Sequence, residues 1–288
     1  MTESFAMKMK IDHDYHIHSY LSSCSRDPEQ NAERILKYAV DNGFSSICIT
    51  DHFWDSDVPG ASGWYQPQDL KHISELLPLP QAEGVDFLFG CETDMDKFFT
   101  IGISDKVADM MDFIIVPTTH LHMKGFTIDA DIGMGDDPDA LKRRTELYVT
   151  RFQKLLDADL PFEKVGIAHL SCGLVCREPA GSVLKILDAI PEETFADLFR
   201  QTAKKGMAVE LNFGVNGYDY ASLGLVLKPY FIAKKCGCKF YFGSDAHHPA
   251  SLDAAPERFR RTADLLGLTE EDRYVIPKLR GKTVAENA

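Results

Sequence analysis

His16 and His18 stand two residues apart at the end of an apolar run, in Asp14-Tyr-His-Ile-His18. On a β-strand, residues i and i+2 share a face, so the two imidazoles can aim at one point. Neutral imidazole is a common ligand of transition metals. Alone the spacing is a weak signal, and its weight depends on whether other donors join it. Further donors do recur along the chain: Asp51 and His52, Glu92, His120, His169, Glu210 and Asn212, then Asp245 and His247. Mixed imidazole and carboxylate, with no thiolate cage, suits Zn, Mn or Fe rather than a Mg-only or Ca site. The set is too large for one ion. Two or three divalent metal ions are expected, with Glu92 as a natural bridge. Clustered metals bring the pKa of a bound water down to about 7 and clamp the attacking and leaving oxygens of an in-line displacement. That chemistry suits an anionic ester.

Positioning such residues takes a repeated element. Short β-rich runs alternate with longer helical patterns, the signature of βα units and a parallel sheet. Strands are predicted at about 10–16, 46–50, 85–90, 112–117, 164–168, 207–211 and 239–242. The first helix is predicted to enter at Asp27-Pro28 and to close at Asn42-Gly43. Others are expected near 68–77, 104–111, 138–158, 182–189, 191–205, 221–235 and 250–266. Each donor then falls at or just after the C-terminal end of a strand, the edge where active sites sit in barrels and open α/β sheets. Seven strands are one short of a regular (β/α)8 barrel. An open doubly wound sheet is the alternative, but it usually carries a Gly-rich phosphate loop where this chain has a histidine pair. No break rich in Pro, Gly or Ser divides the chain. Residues 1–288 therefore read as one α/β domain, with a core over about 10–266 and a tail at 267–288 packed on the surface.

The 288 residues carry 44 acidic against 31 basic side chains, a net charge of −13. That balance argues against a nucleic-acid partner, which wants clustered Lys and Arg. It leaves room for a small phosphorylated substrate. The chain shows no apolar run of about 18 residues and no signal-peptide pattern at its start, so a cytoplasmic protein without membrane association is expected. Seven cysteines, an odd number, fit reduced thiols. Cys172-x3-Cys176 and Cys236-x-Cys238 do not match the paired spacing of a structural zinc site.

The set His16-x-His18, Thr50-Asp-His52, Glu92, His120, His169 and Gly243-Ser-Asp245-Ala-His247 resembles the PHP family, of polymerase and histidinol phosphatase. The resemblance implies a distorted (βα)7 TIM-like barrel and a site for up to three metals. By that analogy His16, His18, Glu92 and Asp245 hold one ion, Glu92, His120 and His169 a second, and His52 and His247 a third. The family often has a His or Asp six residues after the second histidine of the opening pair. Here that position is Cys24.

The function expected on these grounds is that of a phosphoric monoester hydrolase. A hydroxide held between metals attacks phosphorus in line, and Asp245 or His247 manages the proton. Histidinol phosphate is a candidate substrate by family name. Arg177 and Lys124 are the candidates for gripping phosphate. A metal-dependent amidohydrolase, which also opens with His-x-His, is an alternative; a non-catalytic metal- or ligand-binding barrel is another. Of the remaining residues, Asp51 is expected to orient His52, Asn212 to bind or to orient, and His122 to compete with His120. His13 is expected off the site, His72 solvated, and His248 as a helix cap or phosphate ligand. Trp54, Trp64 and Tyr65 read either as a lid or substrate wall or as loop packing.

Overall fold

The computed structural model describes residues 7–133, 137–176, 181–212 and 219–281. Its strands are β1 (His13–Ile17), β2 (Ser46–Ile49), β3 (His52–Phe53), β4 (Asp86–Phe89), β5 (Cys91–Thr93), β6 (Ile114–Pro117), β7 (Val165–Ala168), β8 (Ala208–Leu211) and β9 (Lys239–Phe242). All pairings between them are parallel. One ladder has the order β1-β2-β4 and the other β3-β5-β6-β7-β8-β9. Two of the strands predicted from sequence are thus each broken in two. The breaks fall at Thr50-Asp51 and at Gly90, so β3 continues β2 and β5 continues β4. At Gly90 a side chain is impossible, because a Cβ would collide with the Phe113 carbonyl. That close approach lets the ladder change partners: Gly90 N–H still donates to Ile49 O (2.9 Å), whereas Cys91 N–H donates to Phe113 O (3.2 Å).

The first and last strands meet. Asp245 N–H donates to His16 O (2.8 Å), and His18 N–H donates to Ala246 O (3.1 Å). Below this bridge, Phe242 N–H donates to His13 Nε2 (3.2 Å), while the other ring nitrogen of His13 bonds Asp12 (3.0 Å). The ring of strands closes there as a distorted (βα)7 barrel. The seam is also pinned by Gln30, whose buried amide donates to both His18 O (2.8 Å) and Ala246 O (3.1 Å). This explains why the first helix starts late. Asp27-Pro28 forms a turn that delivers Gln30, with Gln30 N–H on Asp27 O (2.9 Å). Helix α1 (Ala32–Asp41) then begins behind an Asn31 cap.

The other helices follow the expected positions closely: α2 (Leu70–Ile73), α3 (Asp105–Met110), α4 (Pro138–Asp157), α5 (Ser182–Ala189), α6 (Glu192–Lys205), α7 (Tyr220–Lys235) and α8 (Pro249–Leu266). Their apolar stripes pack on the outer faces of the strands, joining Ile17, Ile49, Val116, Ile167 and Val209 in one large core. No helix among the described residues is long and apolar enough to cross a membrane.

A second, smaller core fills the barrel floor: Tyr15, Cys48, Leu88, Phe113, Ile115, Ala168, Ala208 and Tyr241, together with Tyr274, Ile276 and Leu279. The C-terminal segment is therefore a plug and not a surface tail. Its aromatic and aliphatic residues enter an opening that seven short strands leave unfilled, and Tyr274 Oη donates to Glu163 O (2.6 Å). Ile276 is fully buried. Ile276→Ala should therefore cost about 2–5 kcal/mol in chemical denaturation, the range of a buried truncation. A loss below about 0.5 kcal/mol, as at a surface position, would show that the segment does not plug the floor.

Candidate metal centre

β1 carries a bulge. His13 and Asp14 pair with Ser46 and Ile47, but Ile17 pairs with Ile49, so β1 holds one extra residue. The consequence is that consecutive residues both face inward. Tyr15 packs in the floor against Tyr241 and Phe113. His16 and His18 stand above it, their Nε2 atoms 3.1 Å apart. The sequence reading took the i,i+2 pair from a regular strand; the bulge is what frees both the pair and Tyr15 to share one side.

The other strands bring their donors to the same end. Glu92, on β5, points Oε2 at His52 Nδ1 (2.9 Å), His18 Nε2 (3.3 Å) and His16 Nε2 (3.6 Å), and Oε1 at His169 Nε2 (3.3 Å). Asp245 Oδ1 lies 3.2 Å from His18 Nε2 and 3.5 Å from His16 Nε2. Three groups of donor atoms are close enough to share an ion: His16, His18 and Asp245; His18, His52 and His247; Glu92, His120 and His169. All eight candidate ligands are in these groups. Cys24 lines the cavity but belongs to none of them, and it is exposed.

The hydrogen bonds behind the rings show that the donors fit metal. Glu210 Oε1 takes the His16 Nδ1 proton (2.5 Å). Ser22 Oγ donates to Asp51 Oδ1 (2.6 Å), so it is free to accept from His18 Nδ1 (2.9 Å). With Nδ1 committed on both rings, the two Nε2 atoms face each other and share positive charge, a metal ion or, without metal, a proton. Buried His52 Nδ1 and Glu92 Oε2 have no hydrogen-bond partner. Donor separations of about 3 to 3.6 Å are those of atoms ligating one ion at roughly 2.0–2.2 Å.

Burial disfavours charge throughout the cluster. At Glu92 it is outweighed by His52 and His16, and at Asp245 by His16, His18 and His247, so both carboxyls sit well below the usual range. At His16 it is outweighed by Glu210, Asp245 and Glu92, at His18 by Asp245 and Glu92, and at His169 by Cys172 and Glu92, raising these imidazoles. At His52 burial prevails and the pKa falls. At His247 burial, with His18 beside it, lowers the pKa to about 3.

His169 and Asp245 both adopt positive φ (34° and 53°), a conformation that non-glycine residues rarely take. His169 is held in it by its own N–H on Glu210 Oε2 (2.7 Å) and by Nδ1 on Thr119 Oγ1 (2.9 Å). Glu210 thus serves two ligands from behind. Space for it exists because residue 243 is glycine: a Cβ there would collide with the Glu210 carboxylate.

Several sequence readings need revision. Asp51 makes no direct side-chain bond to His52; it takes hydrogen bonds from Ser19 and Ser22, and Ser22 Oγ in turn accepts from both His18 Nδ1 and the His52 N–H. His72 is not simply solvated, since its Nε2 bonds Leu21 O (2.9 Å). His248 needs no revision on one of its two readings: it caps α8 through Ala250 N–H, and it pairs with Asp27 (2.9 Å). His122 lines the cavity beside His120 but joins none of the three groups. Lys124 is exposed and does not line the cavity. Arg177 lies outside the described residues. Trp64 and Tyr65 form part of the cavity wall, whereas Trp54 is buried behind them with Nε1 on Val58 O (2.9 Å).

Two further residues escaped the sequence reading. Asp94 Oδ2 holds His120 Nδ1 (2.8 Å), and Arg151, wholly buried in α4, anchors Asp94 Oδ1 (3.2 Å). Asp94 offered a signal, standing two residues after Glu92. Arg151 offered none, being one more cation in an amphipathic helix.

Among curated proteins, none matches the chain in sequence. Among solved structures, histidinol phosphate phosphatase from Lactococcus lactis, complexed with zinc, L-histidinol and phosphate, is similar with a TM-score of 0.58 at 17% identity, over 92% of this chain and 98% of that one. N-isopropylammelide isopropylaminohydrolase from Burkholderia multivorans follows with a TM-score of 0.43 at 15% identity, over 88% of this chain and 68% of that one. The first likeness agrees with the barrel described above. In sequence, the PHP domain profile matches residues 14–213, a stretch that holds every candidate ligand except Asp245 and His247. The chain belongs to the PHP domain family.

Proposed function

We propose that this protein is a metal-dependent phosphatase hydrolysing a small-molecule phosphate monoester in the cytoplasm. The observation that carries the reading is the placement of Glu92. Its two oxygens face different histidines, Oε2 toward His16, His18 and His52 and Oε1 toward His169, as a carboxylate shared between ions does. We assign His16, His18, Glu92 and Asp245 to one ion, Glu92, His120 and His169 to a second, and His52 and His247, with His18, to a third. The ions would be Zn, Mn or Fe and would supply charge neutralisation for the phosphoryl group and a water acidic enough to attack near neutral pH. The zinc-, histidinol- and phosphate-bound relative of the same fold supports this choice of chemistry.

The protein's own groups divide the remaining work. Glu210, Ser22, Thr119 and Asp94 fix the ring orientations before substrate arrives. Asp245, held ionised, keeps Oδ1 toward His16 and His18, where it would hold an ion and orient the attacking water. His247 keeps Nδ1 on the Asp245 carbonyl (2.9 Å) and turns Nε2 inward. With its pKa near 3 it stays neutral, so it binds and does not act as the acid. Lys124 stands outside the cavity, and among the described residues no Lys or Arg lines it, so of these groups only the ions would meet the phosphate charge.

Glu92→Gln keeps the shape and removes the charge. It should lower the metal content by at least one equivalent in elemental analysis and cut turnover of a phosphate ester by about a hundredfold or more. An unchanged metal count and rate would remove Glu92 from the centre.

Metal affinity should also follow the protons. The raised imidazoles of His16, His18 and His169 hold protons in the metal-free protein, and a metal must displace them. A raised pKa means more protons to displace at lower pH, so affinity strengthens as pH rises. Zinc titrations between pH 6 and 8 should show affinity changing by about tenfold per unit for each proton released. A pH-independent affinity would contradict the proposed ligand set.

A further inference from the structure

We infer that the ester group accepted by this centre is a neutral aromatic alcohol, held by Trp64 and Phe126 with Tyr65 packed between them. The inference rests on the phosphatase reading and names its substrate class. The cavity over the donors has a volume of about 550 Å³. That lies within the range of small-molecule sites, roughly 300–1,000 Å³, with room for a phosphate and a ring.

Its wall begins directly at the ligands. The Trp64 ring stands edge-on to His52 with centroids 5.0 Å apart, and the Tyr65 ring likewise at 6.2 Å. Trp64 meets Tyr65 at 4.7 Å, and Tyr65 meets Phe126 at 5.4 Å. A phosphoryl group at the ions therefore has its ester arm against these rings. The wall is braced from behind. Trp54 packs on both Tyr65 (5.8 Å) and Phe126 (5.4 Å), and Tyr65 Oη donates to Asp94 (3.3 Å). Met123 and Leu174 continue the apolar lining. Trp64 remains partly exposed at the mouth, which suits a ring that gains a partner on binding.

Charge decides against the other classes. Among the described residues, the lining contains no Lys or Arg, and its carboxylates are Glu92 and Asp245, both turned toward the histidines. An ammonium or carboxylate on the ester arm would lose water and meet no counter-charge among these described residues. A flat neutral ring loses little water and gains edge and face contacts with Trp64 and Phe126.

The test compares 2-phenylethyl phosphate with 2-aminoethyl phosphate on the metal-replete enzyme. Both are primary alkyl esters, so the chemical step is alike and the arm differs. We expect kcat/KM to favour the phenylethyl ester by about tenfold or more, chiefly through KM. Trp64→Ala and Phe126→Ala, each checked for full metal content, should shrink that ratio at least about fivefold. A preference for the aminoethyl ester, equal use of both, or a ratio unchanged in both variants overturns the inference alone. No phosphate released from either ester or from p-nitrophenyl phosphate overturns the phosphatase reading as well.

Discussion

Everything at the C-terminal end of the barrel depends on one arrangement: two buried imidazole Nε2 atoms 3.1 Å apart, facing each other beside two ionised carboxylates. Such a cluster needs positive charge within it, from protons on the imidazoles or from metal ions that displace them. The surrounding structure makes retreat impossible. Each ring is gripped at its far nitrogen or its backbone by groups that are themselves bonded: Glu210 to two ligands, Ser22 to Asp51, Asp94 to Arg151. Positive φ at His169 and Asp245 is tolerated for the same reason, since these grips over-determine the backbone. Rigidity behind the ligands thus turns that need for positive charge into affinity for metal.

The barrel supplies that rigidity through irregularities, not through regular strands. A bulge in β1 lets Tyr15 fill the floor while His16 faces the site. A break at Gly90 separates β4, which pairs with β2, from β5, which presents Glu92. The C-terminal segment seals the opposite end with Tyr274 and Ile276. Each device solves the same problem, that of keeping seven strands closed around a packed interior while one rim carries polar groups.

Much of this was legible in the sequence because it repeats. Short apolar runs, helix caps and a donor after each run mark seven βα units, and the resemblance to the PHP family narrows those donors to the eight candidate ligands. What was not legible lies between units. Gln30 reads as part of a helix until its amide is seen across the seam, and Arg151 reads as helix surface until it is found beneath Asp94. Asp51 reaches His52 and also His18 through Ser22, a contact that only the fold creates and that sequence adjacency does not reveal. The tail was misplaced for a similar reason. Its burial depends on an opening whose size no local pattern records.

The seam between β1 and β9 has a consequence for how the molecule comes into being. His16 and His18 are made early in synthesis, while Asp245 and His247, needed beside them, arrive some 230 residues later. Contacts so distant along the chain are slow to form, because a long loop must close before they repay its entropy. Until then the histidine pair sits on an open sheet edge, able to pick up a metal loosely or wrongly. Completion of the last strand is therefore the moment at which the centre acquires its full ligand set, and with it the discrimination between metals that a partial set lacks.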